Sequence, residues 1–213
     1  PDALQAWRIK QLKAFGCNAY PASHNPMTPA VLDVCDREGI LVIDENRLMG
    51  INEEHLRLLQ RMIKRDRNHP SVMMWSDGNE EWGLENTIQG TRIAAAMREY
   101  THLLDPTRHS TIANAGGVEM IKGLDVVGFN YIVQNDVENR KKANPTWKIV
   151  GTEETTGCGT RGIYFNSPDQ PGRMTAINRG DKPGIENVIE RGWQFYADHD
   201  WAAGVFYWTG FEI

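Results

Sequence analysis

The chain has 213 residues, which is enough for one domain with a buried core. Its 23 basic and 28 acidic residues give a formal net charge of −5, which argues against a protein that binds nucleic acid by neutralising phosphates. No apolar run approaches the ~20 residues of a transmembrane helix, so we expect no membrane partner. The chain starts at Pro1 without an initiator methionine or a signal segment, so we expect it to be processed or part of a longer polypeptide.

In chain order, the first half of the sequence alternates helical patterns with short apolar runs. Asp2 and Gly16 bound the first predicted helix, and Thr28-Pro29 and Gly39 bound the second, because they match the residue preferences of helix ends. A third helix is predicted at 53–67. The predicted strands between and after these helices are 17–20, 40–43 and 72–75.

The second half continues the same alternation. We predict helices at 88–104 and 184–197, with a polar loop at 155–183 before the latter helix. The predicted strands are 110–113, 126–129, 147–150 and 204–208. Alternating strands and helices are typical of an α/β fold with a parallel sheet. Seven strands suit either an open doubly wound sheet or a (β/α)₈ barrel that lacks one strand, and the G-x-G-x-x-G fingerprint of the first class is missing.

Cysteine and tryptophan positions add expectations about the core. Cys17, Cys35 and Cys158 are far apart and have neither an even disulfide framework nor a metal-type C-x-x-C spacing. We therefore predict that the cysteines are small core residues. Trp75 and Trp193 are likewise predicted to be core residues.

Polar and aromatic side chains follow every predicted strand. The segments are Ser23-His24-Asn25-Pro26, Asp44-Glu45-Asn46, Asp77-Gly78-Asn79-Glu80-Glu81-Trp82, Asn114, Asn130-Tyr131, Thr152-Glu153-Glu154 and Trp208-Thr209-Gly210. Barrel enzymes place their active sites at the carboxyl ends of the strands, which favours the barrel over the open sheet. Among these residues, Glu80 and Glu153 could face each other across the barrel mouth. Paired carboxylates hydrolyse glycosides, and their separation decides between retention and inversion.

Three blocks of sequence resemble the signatures of family 2 glycoside hydrolases, which include β-galactosidases, β-glucuronidases and β-mannosidases. The first block is RDRNHPSVMMWS at 65–76 followed by Gly78-Asn79-Glu80. The second block consists of Asn18-Ala19-Tyr20, Ser23 to Pro26, Leu32 to Asp36 and Asp44 to Asn46. The third block is Gly151-Thr152-Glu153, followed downstream by Arg161-Gly162 and Tyr164. The resemblance covers essentially the whole chain and implies a catalytic (β/α)₈ barrel.

The resemblance implies the catalytic roles. It makes Glu80 the general acid/base and Glu153 the nucleophile of a double displacement. Each has an acidic neighbour, Glu81 and Glu154, that could compete for the role. Because side chains alternate along a strand, we expect only one residue of each pair to point inward.

The resemblance also implies the substrate-binding residues. These are Asn79, His24, Asn130, Tyr131 and Trp208. Asn79 would hydrogen-bond the sugar 2-hydroxyl, Tyr131 would support the nucleophile, and Trp208 would line the sugar site. His24 could instead be a structural histidine, and Asp44 and Glu45 could either brace the barrel or join the site.

Some positions depart from the family pattern. Pro21 stands where the family usually has an arginine near the nucleophile, and Asp77 replaces a commonly apolar residue. The magnesium ligands of some β-galactosidases are not matched at 47–50, so we predict no metal and no other cofactor. The Asn-x-Lys with which β-glucuronidases bind a carboxylate is not seen.

The sequence hypothesis is a retaining exo-β-glycosidase that acts on carbohydrate substrates, with β-galactosides preferred. The alternatives are a non-catalytic carbohydrate-binding or partner-binding barrel, another β-glycosidase of the family such as a β-glucuronidase, and a metal-dependent barrel enzyme. Because a complete barrel takes ~250 residues, we expect residues 1–213 to form one catalytic barrel without its first strand and last helix. We expect it to be a fragment of a larger glycosidase whose other domains are its partners.

Overall fold

The computed structural model describes residues 2–132, 135–154, 188–208 and 210. The predicted loop at 155–183, the beginning of the next predicted helix, and Cys158, Arg161, Gly162, Tyr164 and Thr209 lie outside these residues. The described helices are α1 (Asp2–Ala14), α2 (Pro29–Glu38), α3 (Glu53–Asp66), α4 (Ile88–Leu104), α5 (Val137–Ala143) and α6 (Val188–Ala197). The strands are β1 (Ala19–Pro21), β2 (Leu41–Glu45), β3 (Val72–Asn79), β4 (Ser110–Asn114), β5 (Val127–Asn130), β6 (Ile149–Glu154) and β7 (Ala202–Tyr207). A 3₁₀ turn at Met120–Gly123 precedes β5.

The strands form one parallel sheet in the order β1-β2-β3-β4-β5-β6-β7. Cα atoms of β1 and β7 lie within 8 Å of each other, so the seven described strands form a nearly closed barrel. Because a doubly wound sheet would reverse its strand order at a switch point, the sequential order confirms the (β/α) barrel class. None of the described helices is both long and apolar enough to span a membrane.

Two differences from the predicted elements have local causes. β3 continues beyond the predicted apolar run to Asn79, because its last residues are polar but buried in hydrogen bonds: Ser76 donates to Glu45 and Asp77 accepts from Thr101 on α4. The seven-residue helix α5 was not predicted, because its sequence VENRKKA has almost no apolar periodicity.

Strand alternation divides the core into two layers. Val42, Trp75 and Ile112 face outward and pack under α2, α3 and α4, whereas Ile43 and Phe206 belong to a separate cluster inside the barrel. Trp75 is fully buried, as predicted, and its Nε1 donates to Asp105 at 3.0 Å.

The core predictions for two other residues are wrong. Trp193 is 63% exposed, because it lies on the outer face of α6, whose Phe195 and Tyr196 pack inward. Cys17 is exposed, because it follows the turn that ends α1, whereas Cys35 is buried as predicted.

Gly128 on β5 lets neighbouring strands approach closely, just below the polar residues at the carboxyl ends of the strands. A Cβ atom at this position would lie 2.5 Å from the Ile112 carbonyl oxygen and 2.8 Å from side-chain atoms of Thr111 and Thr152. The strands therefore pack too closely here for any larger residue. Asn130 lies two residues further along β5 on the same face, so this close packing supports the layer above it.

We expect Gly128→Ala to lower the free energy of unfolding by about 1–3 kcal/mol, because the added methyl group overpacks a backbone contact. The matched control is Gly83→Ala, since a Cβ atom at Gly83 meets nothing within 4 Å. The control should change stability by no more than about 0.5 kcal/mol. Urea unfolding of the full-length polypeptide measures both values, and equal effects would contradict the close packing.

Candidate active site

All seven site residues that the sequence predicts lie together at the carboxyl ends of the strands. They are His24, Asn79, Glu80, Asn130, Tyr131, Glu153 and Trp208. Parallel strands bring their carboxyl ends to one edge, so residues far apart in sequence become neighbours there. Hydrogen bonds, one ion-pair contact between His24 and Glu153, and one ring contact connect all seven into one network.

The side-chain amide of Asn130 lies at the centre of the network. Its Nδ2 donates to Oε1 of Glu80 at 2.9 Å and lies 3.4 Å from Oε2 of Glu153. It also lies 3.2 Å from Oδ1 of Asn79, while its own Oδ1 accepts from the Thr152 hydroxyl at 2.8 Å. The Thr152 hydrogen bond fixes which end of the amide faces the carboxylates.

The shared amide also limits the distance between the two glutamates. Each carboxylate oxygen lies close to the same nitrogen, so the two oxygens are at most about 6.3 Å apart, the sum of the two distances to Asn130 Nδ2. Two acidic groups at this separation repel each other when both are ionised.

Glu153 is buried and held by opposing influences. Burial raises the pKa of Glu153 above its usual range, and the nearby charges of Glu80 and Glu45 raise it further. The Tyr131 hydroxyl, which donates to Oε1, and the adjacent His24 act in the other direction. The ionised form of Glu153 therefore depends on Tyr131 and His24 for its stability.

His24 lies between two carboxylates. Its Nδ1 is 3.4 Å from Oε1 of Glu45, and its Nε2 is 4.0 Å from Oε2 of Glu153. The Glu45 carboxylate raises the pKa of His24, while partial burial opposes that effect. The His24 ring stacks on Trp208 with centroids 4.8 Å apart, so the imidazole is held between an aromatic ring and two acids.

Alternation along β2 separates Asp44 from Glu45. Glu45 points into the site, where its Oε2 accepts from the Ser76 hydroxyl at 2.9 Å. Asp44 points outward and accepts from the Met27 backbone N–H at 2.9 Å. Burial, together with the neighbouring Asp66 carboxyl group, raises the pKa of Asp44 to about 8. Of the two acids, Asp44 braces the barrel and Glu45 joins the site.

In each of the two pairs of adjacent glutamates, the side chains point in different directions, but the cause differs between the pairs. On β6, Glu154 lies on the opposite side from Glu153 and accepts from the Ile132 N–H at 2.8 Å, as alternation predicts. β3 ends at Asn79, so alternation does not apply to Glu80 and Glu81.

At the end of β3, an unusual backbone conformation orients Glu80. Its φ is 48°, and its N–H donates to the Ala113 carbonyl at 2.8 Å, which directs the side chain toward Asn130. Tyr131 has a φ of 56°. Left-handed backbone in such residues costs about 1–3 kcal/mol each and is concentrated at functional sites.

Sequence reasoning missed two residues that position the site. Ser76 holds Glu45, and Thr152 holds Asn130. Thr152 carried a usable signal, because it directly precedes Glu153 at a strand end. Ser76 ends the first family signature, but its role could not be read there, because its partner Glu45 comes from the neighbouring strand.

In the described ranges, two groups of histidine and carboxylate side chains are close enough to hold a metal ion. They are His102, His109 and Asp125, and Asp33, Asp36 and His69. Neither group includes a residue of the network around Asn130.

Comparison with known families decides the family of this barrel. The family profile described as "Glycosyl hydrolases family 2, TIM barrel domain" matches residues 3–155. The chain belongs to glycoside hydrolase family 2. It is 31% identical to β-galactosidase BoGH2A of Bacteroides ovatus, across 96% of this chain and 31% of that protein. It is 34% identical to a β-glucuronidase of Sus scrofa, across 54% of this chain and 19% of that protein.

Solved structures of family 2 members have the same fold. A member from Bacteroides cellulosilyticus superposes with a TM-score of 0.75 at 31% identity, covering 98% of this chain and 25% of that one. A β-glycosidase from Bacteroides vulgatus gives a TM-score of 0.75 at 30% identity, covering 98% and 32% respectively. The family 2 chain therefore spans about a third or less of the length of these relatives.

The electrostatic link between His24 and Glu45 can be tested directly. We expect Glu45→Gln to lower the pKa of His24, because it removes the negative charge that favours the imidazolium. The measurement is a pH titration of ¹³C-labelled histidine by NMR, with the His24 signal assigned from a His24→Gln variant.

Glu81→Gln is the matched control for this titration. It makes the same chemical change at a carboxylate that faces the Met49 N–H rather than His24, and should leave the His24 titration unchanged. An unchanged His24 pKa in Glu45→Gln would contradict the proposed link.

Proposed function

We propose that this barrel is the catalytic domain of a retaining exo-β-glycosidase, with terminal β-galactosides as its preferred substrates. The supporting observation is the Asn130 amide, which keeps oxygens of Glu80 and Glu153 within about 6.3 Å of each other. Carboxylates lie about 5–5.5 Å apart in retaining glycosidases and about 6.5–9.5 Å apart in inverting ones. This limit applies to one oxygen of each carboxylate and brings both groups to the same part of the site, where they can act on one glycosidic bond. The retaining mechanism is what the resemblance to the family 2 signatures implies, and family membership favours glycoside chemistry.

In the first step, Glu153 and Glu80 act on opposite sides of the glycosidic bond. The ionised Glu153 carboxylate attacks the anomeric carbon while the bond from that carbon to the leaving oxygen breaks. The protonated Glu80 transfers its proton to the leaving oxygen, so the alcohol leaves neutral. The product is a glycosyl ester on Glu153.

In the second step, water replaces the ester. Glu80, now ionised, removes a proton from water, whose oxygen forms a bond to the anomeric carbon. The ester bond breaks, and Glu153 returns to its carboxylate form. Because both displacements invert the anomeric carbon, the net result is retention.

His24 supplies positive charge beside the nucleophile in this proposal. Pro21 stands where the family pattern has an arginine, and the raised pKa of His24 favours its charged form close to Glu153. Trp208 stacks on the imidazole ring, which leaves the ring edge to face the carboxylates. The His24 imidazolium thus stands in for the arginine charge beside Glu153, while Glu45 favours the protonated form of His24.

A uronic acid is the second candidate for the substrate sugar. Several relatives are named β-glucuronidases, and a cavity of about 450 Å³, lined in part by Asn25 and Asn46, is also lined by Arg47, Arg61 and Arg65. Arg65 is paired with Asp66, whereas Arg47 and Arg61 make no hydrogen bond or salt bridge with any residue the structure describes. The Arg47 charge acts on the nearby Glu45 carboxylate, so Arg61 has the guanidinium group most available to a carboxylate on the sugar or on the leaving group.

We expect Glu153→Gln to reduce hydrolysis of aryl β-glycosides by at least about a thousandfold, because the amide is a poor nucleophile. Glu154→Gln is the matched control, because Glu154 makes a backbone hydrogen bond on the other side of β6 that Gln can also accept. Steady-state kinetics of the full-length polypeptide measure both variants. Equal activity of wild type and Glu153→Gln would contradict the proposal.

Trapping with a panel of 2-fluoro-glycosides identifies both the preferred sugar and the residue to which it becomes attached. Mass spectrometry should find the label on Glu153 in the wild type and none in Glu153→Gln. A 2-fluoro-galactoside and a 2-fluoro-glucuronide, compared at equal concentration, separate the two substrate candidates. Sugar binding by calorimetry without label or hydrolysis would favour a non-catalytic carbohydrate-binding barrel.

The Tyr131 hydrogen bond predicts a change in pH dependence. Because the hydroxyl stabilises the charged form of Glu153, Tyr131→Phe should raise the pKa of Glu153. The nucleophile must be ionised, so the acid limb of kcat/KM should move to higher pH. At neutral pH we expect a loss of at least about tenfold, the value of a hydrogen bond to a charged group.

Tyr100→Phe is the control for this pH profile, because Tyr100 accepts from Gln60 on the helix layer, away from the glutamates. Its acid limb should match that of the wild type. An unshifted limb in Tyr131→Phe would show that Tyr131 does not support the nucleophile.

A further inference from the structure

Three potential metal ligands meet at the end of the barrel opposite to the glutamates. His102 lies in the last turn of α4, His109 directly precedes β4, and Asp125 lies between the 3₁₀ turn and β5. Because α4 runs antiparallel to the strands, its carboxyl end comes back to their amino ends, where His109 and Asp125 lie. The fold thus assembles two imidazoles and one carboxylate from three segments.

The distances in this group suit a small divalent cation. One ligand atom from each residue lies within 4.8 Å of the other two. His102 Nε2 is 2.7 Å from Asp125 Oδ2, and His109 Nδ1 is 3.7 Å from the same oxygen. Ligands of tetrahedral zinc are separated by about 3.4 Å, given bond lengths of about 2.0–2.2 Å. The two distances lie on either side of this value, so the three ligand atoms are close to the spacing that zinc requires.

We propose that His102, His109 and Asp125 bind one Zn²⁺ ion, with water as the fourth ligand. Imidazole nitrogen with a single carboxylate prefers zinc over magnesium or calcium, which take oxygen ligands. The side chains of His102 and His109 are 38% and 59% exposed, so an ion can reach them from solvent. This site is independent of the proposed glycosidase chemistry.

The Asp125 carboxylate is already oriented for this role. Its Oδ2 accepts from the Ser110 backbone N–H at 2.9 Å, which fixes the group at the start of β4. Such hydrogen bonds from outside the ligand set orient metal-binding carboxylates. The bound ion would join α4 to the segments before β4 and β5, so its effect is structural.

One neighbouring charge opposes cation binding and offers a diagnostic variant. Arg98 Nε lies 3.9 Å from Asp125 Oδ1, on the oxygen that faces away from the histidines. Its positive charge repels a cation across a short distance, although partial exposure screens it. Removing the Arg98 charge should therefore tighten zinc binding without touching a ligand.

The second group of potential ligands is a weaker competitor. It contains one imidazole, His69, with two carboxylates from Asp33 and Asp36. Asp36 already accepts from His69 at 2.6 Å and from the Ser71 N–H at 2.9 Å. Asp33 is exposed, so Asp33→Asn removes one ligand of this group with little effect on the fold.

The test is isothermal titration of the full-length polypeptide with ZnCl₂. The exposed Cys17 is replaced by serine throughout, so that its thiol does not bind zinc. We expect tight binding that His109→Gln weakens by at least about tenfold, whereas Asp33→Asn leaves it unchanged. Arg98→Gln should tighten it, and MgCl₂ should give no comparable heat.

A second measurement separates binding from damage to the fold. His109 is exposed, so the metal-free His109→Gln protein should unfold at the same temperature as the parent. Zinc should raise the unfolding temperature of the parent but not of this variant. No tight binding in the parent, equal binding in His109→Gln, or loss of binding in Asp33→Asn would each overturn the proposal.

Discussion

One shared amide group makes the polar end of this barrel possible. Burying two carboxylates near each other is unfavourable, because both desolvation and repulsion oppose their ionisation. The Asn130 amide offsets part of this cost by donating to Glu80 while lying within reach of Glu153. Tyr131 and His24 supply the remaining hydrogen bond and charge. The site therefore depends on how firmly Asn130 is held.

The strands below hold Asn130 in place. The Thr152 hydroxyl, on the neighbouring strand, donates to the oxygen of the Asn130 amide and so restricts rotation of the amide. Gly128 allows β4, β5 and β6 to approach closely beneath that layer. Glu80 and Tyr131 have left-handed backbone, which persists only where the surrounding structure holds it.

The two ends of the barrel have different chemistry. The carboxyl ends carry hydrogen-bonded acids, an amide and stacked rings, which suit a sugar and its leaving group. The amino ends carry His102, His109 and Asp125, which suit a cation that ties segments together. This division agrees with the general pattern of (β/α) barrels, in which the carboxyl face performs the reaction and the other face stabilises the fold.

The sequence alone predicted the barrel class and the seven members of the network, because the polar residues after each strand and the family signatures are local properties of the chain. It also predicted that Glu153 and Glu154 point to opposite sides of their strand, since alternation along a strand needs no partner. Only the tertiary structure showed how the backbone turns Glu80 toward Asn130, assigned Glu45 to the site and placed Trp193 at the surface. Those outcomes depend on a left-handed turn, on neighbouring strands and on the packing of α6. Such contacts join residues that are distant in sequence, so no local pattern encodes them.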